Sequence, residues 1–181
     1  MIITGGIYKG RKMEAPDEKI TRPTLSKVRM GVFNVLYSLM GDFEGKTFLD
    51  AFGGSGIMGL EALSRGFNEV FVIEQNPKSA QVIKNNYQKL GLNPNLRIGD
   101  SLKLINKIDK RFDVIYIDPP YESDIYKNIF PLVEDKAEYI IAEHSGDLKI
   151  TNFTLLKTKN YGGKKVSFYI KGKPDKIKST Q

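Results

Sequence analysis

The sequence predicts an α/β fold in which helices cover both faces of a mostly parallel sheet. Short apolar runs alternate with helical segments from Lys46 onward, and this alternation is typical of parallel strands joined by helical crossovers. Two further apolar runs flank Tyr161-Gly162-Gly163, which favours an antiparallel hairpin at the edge of the sheet.

Each element follows from its local pattern. Runs rich in β-branched and aromatic residues predict five parallel strands, at 47–52, 69–74, 96–98, 112–117 and 139–143. The segments between them predict helices at 56–64, 77–90, 102–108 and about 123–134. The hairpin strands are predicted at 153–159 and 166–170.

The first 41 residues precede this alternation and predict an appendage. Ile2-Ile3 and residues 8–11 lie on either side of Gly5-Gly6, as in a short hairpin or a pair of strands. Apolar residues at helical spacing then predict a helix that is capped by Thr24 or Ser26 and ends near Met40.

The net charge of +7 is unevenly distributed along the chain. Residues 1–29 carry +4 and residues 157–181 carry +7, which leaves −4 for the middle of the chain. Clustered Lys and Arg favour a polyanionic partner such as RNA, because each neutralised phosphate releases condensed counterions. A solvated basic surface would give the same composition, so charge alone leaves both interpretations open.

Other features of the composition exclude several classes of protein. Cysteine is absent and there is one histidine, so disulfide scaffolds and thiolate metal sites are excluded and we expect no metal. No run of about 18 apolar residues occurs, and the first residues lack the apolar core of a signal peptide. We expect a cytoplasmic, monomeric protein that makes no contact with a membrane.

A glycine-rich turn follows the first predicted strand. It is formed by residues 50–56, with the sequence DAFGGSG. In an open α/β sheet, ligands bind beyond the carboxyl ends of the strands, and glycines let the backbone approach a ligand closely. Glu74 ends the second strand about 20 residues later, where a carboxylate accepts hydrogen bonds from ribose hydroxyls. The pattern predicts a cofactor that contains adenosine.

Residues 54–59 (GSGIMG) also match the G-x-G-x-x-G dinucleotide fingerprint, so the nature of the cofactor must be decided by a further residue. Asp50 discriminates, because its carboxylate would repel a pyrophosphate and attract the ammonium and sulfonium of S-adenosylmethionine. We therefore predict S-adenosyl-L-methionine, held by a group of residues in the turn and at two strand ends: Asp50, Phe52, Gly53, Gly54, Ser55, Gly56, Glu74, Asp100 and Ser101. For Phe52 a role in the core, and for Asp100-Ser101 helix capping alone, remain open.

The second motif, Asp118-Pro119-Pro120-Tyr121, directly follows the fourth strand. Tyr121 offers a face on which a planar base can stack. Proline has no N–H, so backbone carbonyls near it are free acceptors. Asp118 and the carbonyl of Pro119 would accept both N–H groups of a base amine and turn its lone pair toward the methyl carbon. These four residues are the predicted catalytic motif, although a rigid turn would account for the tetrapeptide in isolation.

These residues resemble the RsmD-type 16S rRNA (guanine-N2-)-methyltransferases of bacteria, over about residues 1–170. The similarity is carried by several short segments: 6–11 (GIYKGR), 21–24 (TRPT), 33–36 (FNVL), 50–56, 59–66 (GLEALSRG), 118–121, and Tyr161-Gly162 with 167–169 (SFY). The resemblance implies a seven-stranded Rossmann-like methyltransferase fold and methylation of a guanine N2 amine in 16S rRNA, as naked RNA or in the small subunit or an assembly intermediate.

With that resemblance, residues 1–41 are expected to bind RNA, residues 42–171 to form the catalytic domain and residues 172–181 to form a disordered basic tail. The predicted RNA contacts are the basic residues of the first segment: Lys9, Arg11, Lys12, Arg22, Lys27 and Arg29. For Arg22 and Arg29 a salt bridge to the acidic core remains an alternative.

Other functions fit parts of the pattern less well. A DNA or other RNA amino-methyltransferase, acting on adenine N6 or cytosine N4, would share the amine chemistry. The DNA enzyme would usually need a separate target-recognition region. A non-catalytic RNA-binding module of the same fold would have no reason to retain four residues of the two motifs: Asp50, Glu74, Asp118 and Tyr121. A dehydrogenase has no use for residues 118–121.

Overall fold

A computed structural model describes residues 1–16, 25–120, 124–148 and 150–172. They form one seven-stranded sheet in the order β3-β2-β1-β4-β5-β7-β6. The strands are β1 (Thr47–Asp50), β2 (Glu69–Glu74), β3 (Asn95–Ile98), β4 (Phe112–Ile117), β5 (Ala137–His144), β6 (Phe153–Tyr161) and β7 (Lys164–Lys171). The first five pair in parallel, and β7 pairs antiparallel with both β5 and β6. The predicted fold class is confirmed.

Five helices lie within the described residues. They are α1 (Ser26–Met40), α2 (Ile57–Ser64), α3 (Pro77–Gln88), α4 (Ser101–Lys107) and α5 (Ile125–Val133). The predicted bounds differ from these by three residues or fewer. None of these helices is long and apolar enough to span a membrane.

The central strands are buried because helices cover the sheet on both faces. One apolar cluster joins α1, α2 and α3 to the first face, and a second joins α4 and α5 to the other. This explains why successive residues of β1 and β4 are buried instead of alternating between buried and exposed. Packing on both faces holds the carboxyl ends of the central strands, where polar side chains lie, in fixed positions.

The N-terminal segment packs into the first of these clusters. Ile2 and Lys12 form an antiparallel bridge, as a short hairpin would, and Ile3 and Met13 are buried beside α1. Residues 1–16 and α1 therefore share a core with the sheet. Of the two predicted caps, Thr24 lies outside the described residues. Ser26 is not the cap, because Leu25 occupies the N-cap position and Ser26 is the first helical residue, where it accepts from the Arg29 side chain.

The C-terminal hairpin brings distant residues to the ends of the parallel strands. In the register of β5 and β7, His144 lies opposite Lys165, and Tyr161 pairs with Lys164 across the Gly162-Gly163 turn. The beginning of β7 therefore lies at the carboxyl end of β5. This places Lys164 beside the residues that follow β4.

Candidate active site

The carboxyl ends of four neighbouring strands bring four acidic residues to one edge of the sheet. Asp50 ends β1, Glu74 ends β2, Asp118 directly follows β4 and Glu143 is the penultimate residue of β5. β1 lies between β2 and β4, so the chain turns to opposite sides of β1 here. Ligands of open α/β sheets bind at such a switch point.

The glycine turn after β1 is held against β2 by two short hydrogen bonds that its backbone N–H groups donate. Gly53 N–H donates to the carbonyl of Ile73 and Gly54 N–H donates to Glu74 Oε2, each at 2.7 Å. A Cβ on Gly53 would lie 2.4 Å from Val72 Cγ1, and Gly56 has φ +75° at the start of α2. Larger residues would push the turn away from β2 and close the space above the strand ends.

Glu74 is buried, and both of its carboxylate oxygens accept from the backbone. Oε2 accepts from Gly54 N–H and Oε1 from Asn76 N–H, both at 2.7 Å. Each oxygen keeps a second lone pair. The residue that the sequence predicts to bind ribose therefore also ties the glycine turn to the start of α3.

Asp50 is only 1% exposed and lies among other acids. Burial raises the pKa of this carboxyl to about 8, and the charges of Asp118, Glu74 and Glu143 add to the rise against a hydrogen bond from Phe52 N–H. That bond is long, at 3.3 Å. A buried carboxylate with so little compensation is stabilised by a cation placed beside it.

On the other side of β1, a network of side chains joins Asp118 to Glu143. Lys164 Nζ lies 3.2 Å from Asp118 Oδ1 and 3.2 Å from Glu143 Oε2. Tyr116 donates its hydroxyl hydrogen bond to Glu143 Oε1. Burial raises the pKa of Asp118, the Glu143 charge adds to the rise, and Lys164 opposes it.

Sequence reasoning missed Glu143, Lys164 and Tyr116 as members of this site. Glu143 could have been found, because the strand-end argument used for Asp50, Glu74 and Asp118 applies equally to the fifth strand. Lys164 had no such signal, since its position depends on the hairpin register.

The rest of the Asp-Pro-Pro-Tyr motif is partly described. Pro119 is buried and Pro120 is exposed, directly after Asp118 at the end of β4. Tyr121 lies outside the described residues, so the stacking role that the sequence predicts for it stays a prediction.

The remaining predicted cofactor residues lie near the glycine turn. Phe52 is half-buried against the second apolar cluster, and Ser55 is buried, with its hydroxyl accepting from Ile57 N–H at 3.3 Å. Asp100 caps α4 by accepting from Lys103 N–H at 2.9 Å. Ser101 does not cap the helix as predicted: its hydroxyl donates to the carbonyl of Ala51 at 2.6 Å and ties α4 to the turn after β1.

Four of the predicted RNA-contacting residues are on the surface. Lys9, Arg11, Lys12 and Lys27 are exposed, whereas Arg22 lies outside the described residues. The prediction for Arg29 is wrong. Its side chain is 1% exposed, with Nε 3.2 Å from Glu61 Oε1, and it donates to the carbonyl of Ile2 at 2.6 Å. Arg29 therefore joins α1 to α2 and the N-terminal segment, which was the alternative left open by the sequence.

Within the described ranges, no group of His, Asp and Glu side chains is arranged to hold a metal ion.

The fold as a whole matches solved structures. The structure of the "Putative methyltransferase yhhF from Escherichia coli" superposes with a TM-score of 0.82 at 26% identity, over 95% of this chain and 98% of that one. Together with the strand-end site, this defines the protein as a Rossmann-like methyltransferase.

Two curated relatives narrow this class of methyltransferase to enzymes of ribosomal RNA. The "Putative rRNA methyltransferase YlbH" of Bacillus subtilis is 30% identical, over 94% of this chain and 99% of its own.

The second relative is "Ribosomal RNA small subunit methyltransferase D" of Haemophilus influenzae, which is 30% identical over 88% of both chains. The chain belongs to the family described as Conserved hypothetical protein 95, whose model matches residues 1–170. The resemblance to RsmD-type enzymes is thereby confirmed.

Proposed function

We propose that this protein transfers a methyl group from S-adenosylmethionine to the exocyclic N2 amine of a guanine in small-subunit (16S) ribosomal RNA. The observation that carries the proposal is the position of Glu74 and Asp118 on opposite sides of the buried Asp50, at the switch point of the sheet. The Glu74 side of Asp50 is suited to a nucleoside cofactor, and the Asp118 side is suited to an amine.

The cofactor side fits S-adenosylmethionine in charge and shape. Asp50 is a buried carboxylate without a close cationic partner among the groups that shift its pKa, and the ammonium of the cofactor would supply one. Glu74 retains acceptor capacity for ribose hydroxyls beside the glycine turn. When bound, S-adenosylmethionine supplies a sulfonium-activated methyl group, so the protein contributes chiefly positioning and electrostatics.

The acceptor side fits an aromatic amine, which has two N–H donors and a poorly nucleophilic lone pair. Asp118 and the carbonyl of Pro119 would accept these two hydrogens and so orient the nitrogen for in-line displacement. Such positioning contributes up to roughly 7–11 kcal/mol when the attack geometry is good. Because its pKa is raised, Asp118 is also suited to take the proton that the amine loses after transfer.

Two observations support ribosomal RNA as the substrate. Both curated relatives carry rRNA methyltransferase in their names. In addition, Lys9, Arg11 and Lys12 are exposed on the N-terminal segment, where they would contact phosphates. Looped RNA presents unstacked bases, so a guanine could enter the site without duplex opening. We propose that the enzyme acts as a monomer, in the cytoplasm.

The test is methyl transfer from labelled S-adenosylmethionine to unmodified 16S rRNA made by transcription, both naked and assembled into small subunits, with DNA and large-subunit rRNA as competitors. Nucleoside analysis should find the label in N2-methylguanosine of 16S rRNA alone. Asp118→Asn, which keeps the shape of the side chain, is the matched inactive control. Label in N6-methyladenosine, in N4-methylcytosine or in DNA would contradict the proposal.

A further inference from the structure

Lys164 reaches the candidate site from a different part of the fold than the strand-end acids. It begins β7 directly after the Gly162-Gly163 turn, and its side chain is half exposed. Its ammonium is shared equally, at 3.2 Å from one oxygen each of Asp118 and Glu143. Asp118 directly follows β4 and Glu143 lies in the adjacent parallel strand β5, so Lys164 of the hairpin links the ends of these two strands.

The charges around Asp118 make this ammonium important. Glu143 on β5 and Asp50 on β1 are acidic neighbours, and Glu74 on β2 acts on Asp50. Tyr116 on β4 is neutral, because burial and the nearby acids raise the pKa of its hydroxyl well above the usual value. Lys164 is the cation that acts on Asp118 among the described groups. Burial lowers the pKa of Lys164, but both carboxylates outweigh that effect and the net shift is upward.

The hydrogen bonding leaves one oxygen of Asp118 available. Oδ1 accepts from Lys164 Nζ at 3.2 Å, and within the described part of the chain this is the one hydrogen bond that the Asp118 side chain makes. Oδ2 can therefore accept an N–H from a substrate while Lys164 remains in place.

We propose that Lys164 is a positioning residue, whose ammonium holds Asp118 through Oδ1 and favours its ionised form, so that Oδ2 receives the amine of the base. This inference rests on the proposed function and deepens it. Lys164 acts through Asp118 and does not itself touch the reacting atoms. Without it, Asp118 would face the charge of Glu143 with no opposing cation among the described groups, and a like charge nearby favours protonation.

The experiment compares Lys164→Met, which keeps an apolar stem of similar length, with Lys164→Arg, which restores the charge. Lys165→Met is the matched control, because Lys165 is the adjacent residue and pairs instead with Asp147 at 3.0 Å. For each variant, the pH dependence of methyl transfer is measured between pH 5.5 and 8.5 at saturating cofactor and RNA. In parallel, carboxyl ¹³C resonances of labelled aspartate are titrated in the protein alone, with Asp118→Asn identifying the signal.

Removing an opposite charge at this distance should raise the Asp118 pKa by about one unit or more. The acid limb of the rate profile of Lys164→Met should move upward by the same amount, because the protonated carboxyl is a poorer acceptor. Activity should recover toward pH 8.5. Lys164→Arg should restore most of the shift, and Lys165→Met should leave both curves unchanged.

Several results would overturn the inference. An Asp118 titration that is the same in Lys164→Met and wild type would show that Lys164 does not control its charge. A shifted titration with an unshifted rate profile would show that this charge does not limit transfer. If the wild type methylates no RNA, the proposed function fails, and the ¹³C titration alone then decides whether Lys164 holds Asp118 ionised.

Discussion

The two sides of the strand-end edge are built from different parts of the chain. On the β2 side, Glu74 accepts from the backbone N–H groups of Gly54 and Asn76, so its partners are fixed once the fold has formed. On the β4 side, Asp118 and Glu143 share a lysine, whose long side chain has rotamer freedom and whose partners titrate. Under the proposed function, the β2 side, which is built from backbone contacts, would hold the cofactor, and the β4 side, which is controlled by charge, would hold the substrate.

The largest expected effect comes from substituting Asp118, on the side that is proposed to bind the substrate. Asp118→Ala should lower methyl transfer by at least 10²–10³-fold, which is typical for the loss of one preorganised polar group in a site. Cofactor affinity should stay close to wild type, because Glu74 and the glycine turn lie across β1. Single-turnover rates and calorimetry measure the two quantities separately. A rate within about tenfold of wild type, or loss of cofactor binding, would contradict separate roles for the two sides.

Substituting Glu74, on the side that is built from backbone contacts, should weaken cofactor binding instead. Glu74→Ala removes charge-assisted hydrogen bonds, each worth about 1.5–3 kcal/mol, so the dissociation constant for S-adenosylmethionine should rise by about tenfold or more. Glu69→Ala is the control, since Glu69 lies at the opposite end of the same strand and pairs with Lys110. Equal effects of the two substitutions on cofactor binding would contradict the assignment.

The buried Asp50 predicts that cofactor binding depends on pH. Its pKa in the folded protein is raised to about 8 from 3.8, so the free protein holds a proton there at neutral pH, and this group makes folding less favourable as pH rises toward 8. An ammonium placed beside it favours the ionised form, and binding should release the proton. Affinity should therefore increase between pH 6 and 7.5, by up to about tenfold per pH unit.

Calorimetry in buffers of different ionisation enthalpy counts the protons released on cofactor binding. Asp50→Asn removes the titrating group and should flatten the dependence. A constant affinity for the wild type across this range would show that Asp50 is already ionised or does not face the cofactor.

The smallest expected effect concerns the exposed basic residues that would contact phosphates. Each phosphate contact contributes about 0.7–0.9 to the slope of log affinity against log salt, so the double substitution Lys9→Gln with Lys12→Gln should lower that slope by about 1.4–1.8. Lys127→Gln is the control, because Lys127 is exposed on α5 and pairs locally with Asp124. Equal slopes in all three proteins would leave the N-terminal charge as a solvated surface.

The sequence predicted what depends on short stretches of chain. Asp50, Glu74 and Asp118 each follow an apolar run, so the rule for parallel strand ends located them without knowledge of the packing. Contacts between distant segments were not predictable in this way. Arg29 has the appearance of a surface cation in the sequence, and only the packing of α1 against α2 shows that it is buried against Glu61. Lys164 depends on a hairpin register that composition does not encode.

The position of β7 has a consequence for the order in which the protein is completed during synthesis. β7 follows β6 in the chain but lies between β5 and β6 in the sheet, so β5 and β6 do not pair with each other. While the chain is being translated, β1 to β5 can pair as they emerge, and the glycine turn can dock on β2. The lysine that joins Asp118 to Glu143 emerges only later, with the last of the seven strands. A nascent chain would thus acquire its cofactor-side geometry first, and the charge balance of its substrate side only when translation has passed β7.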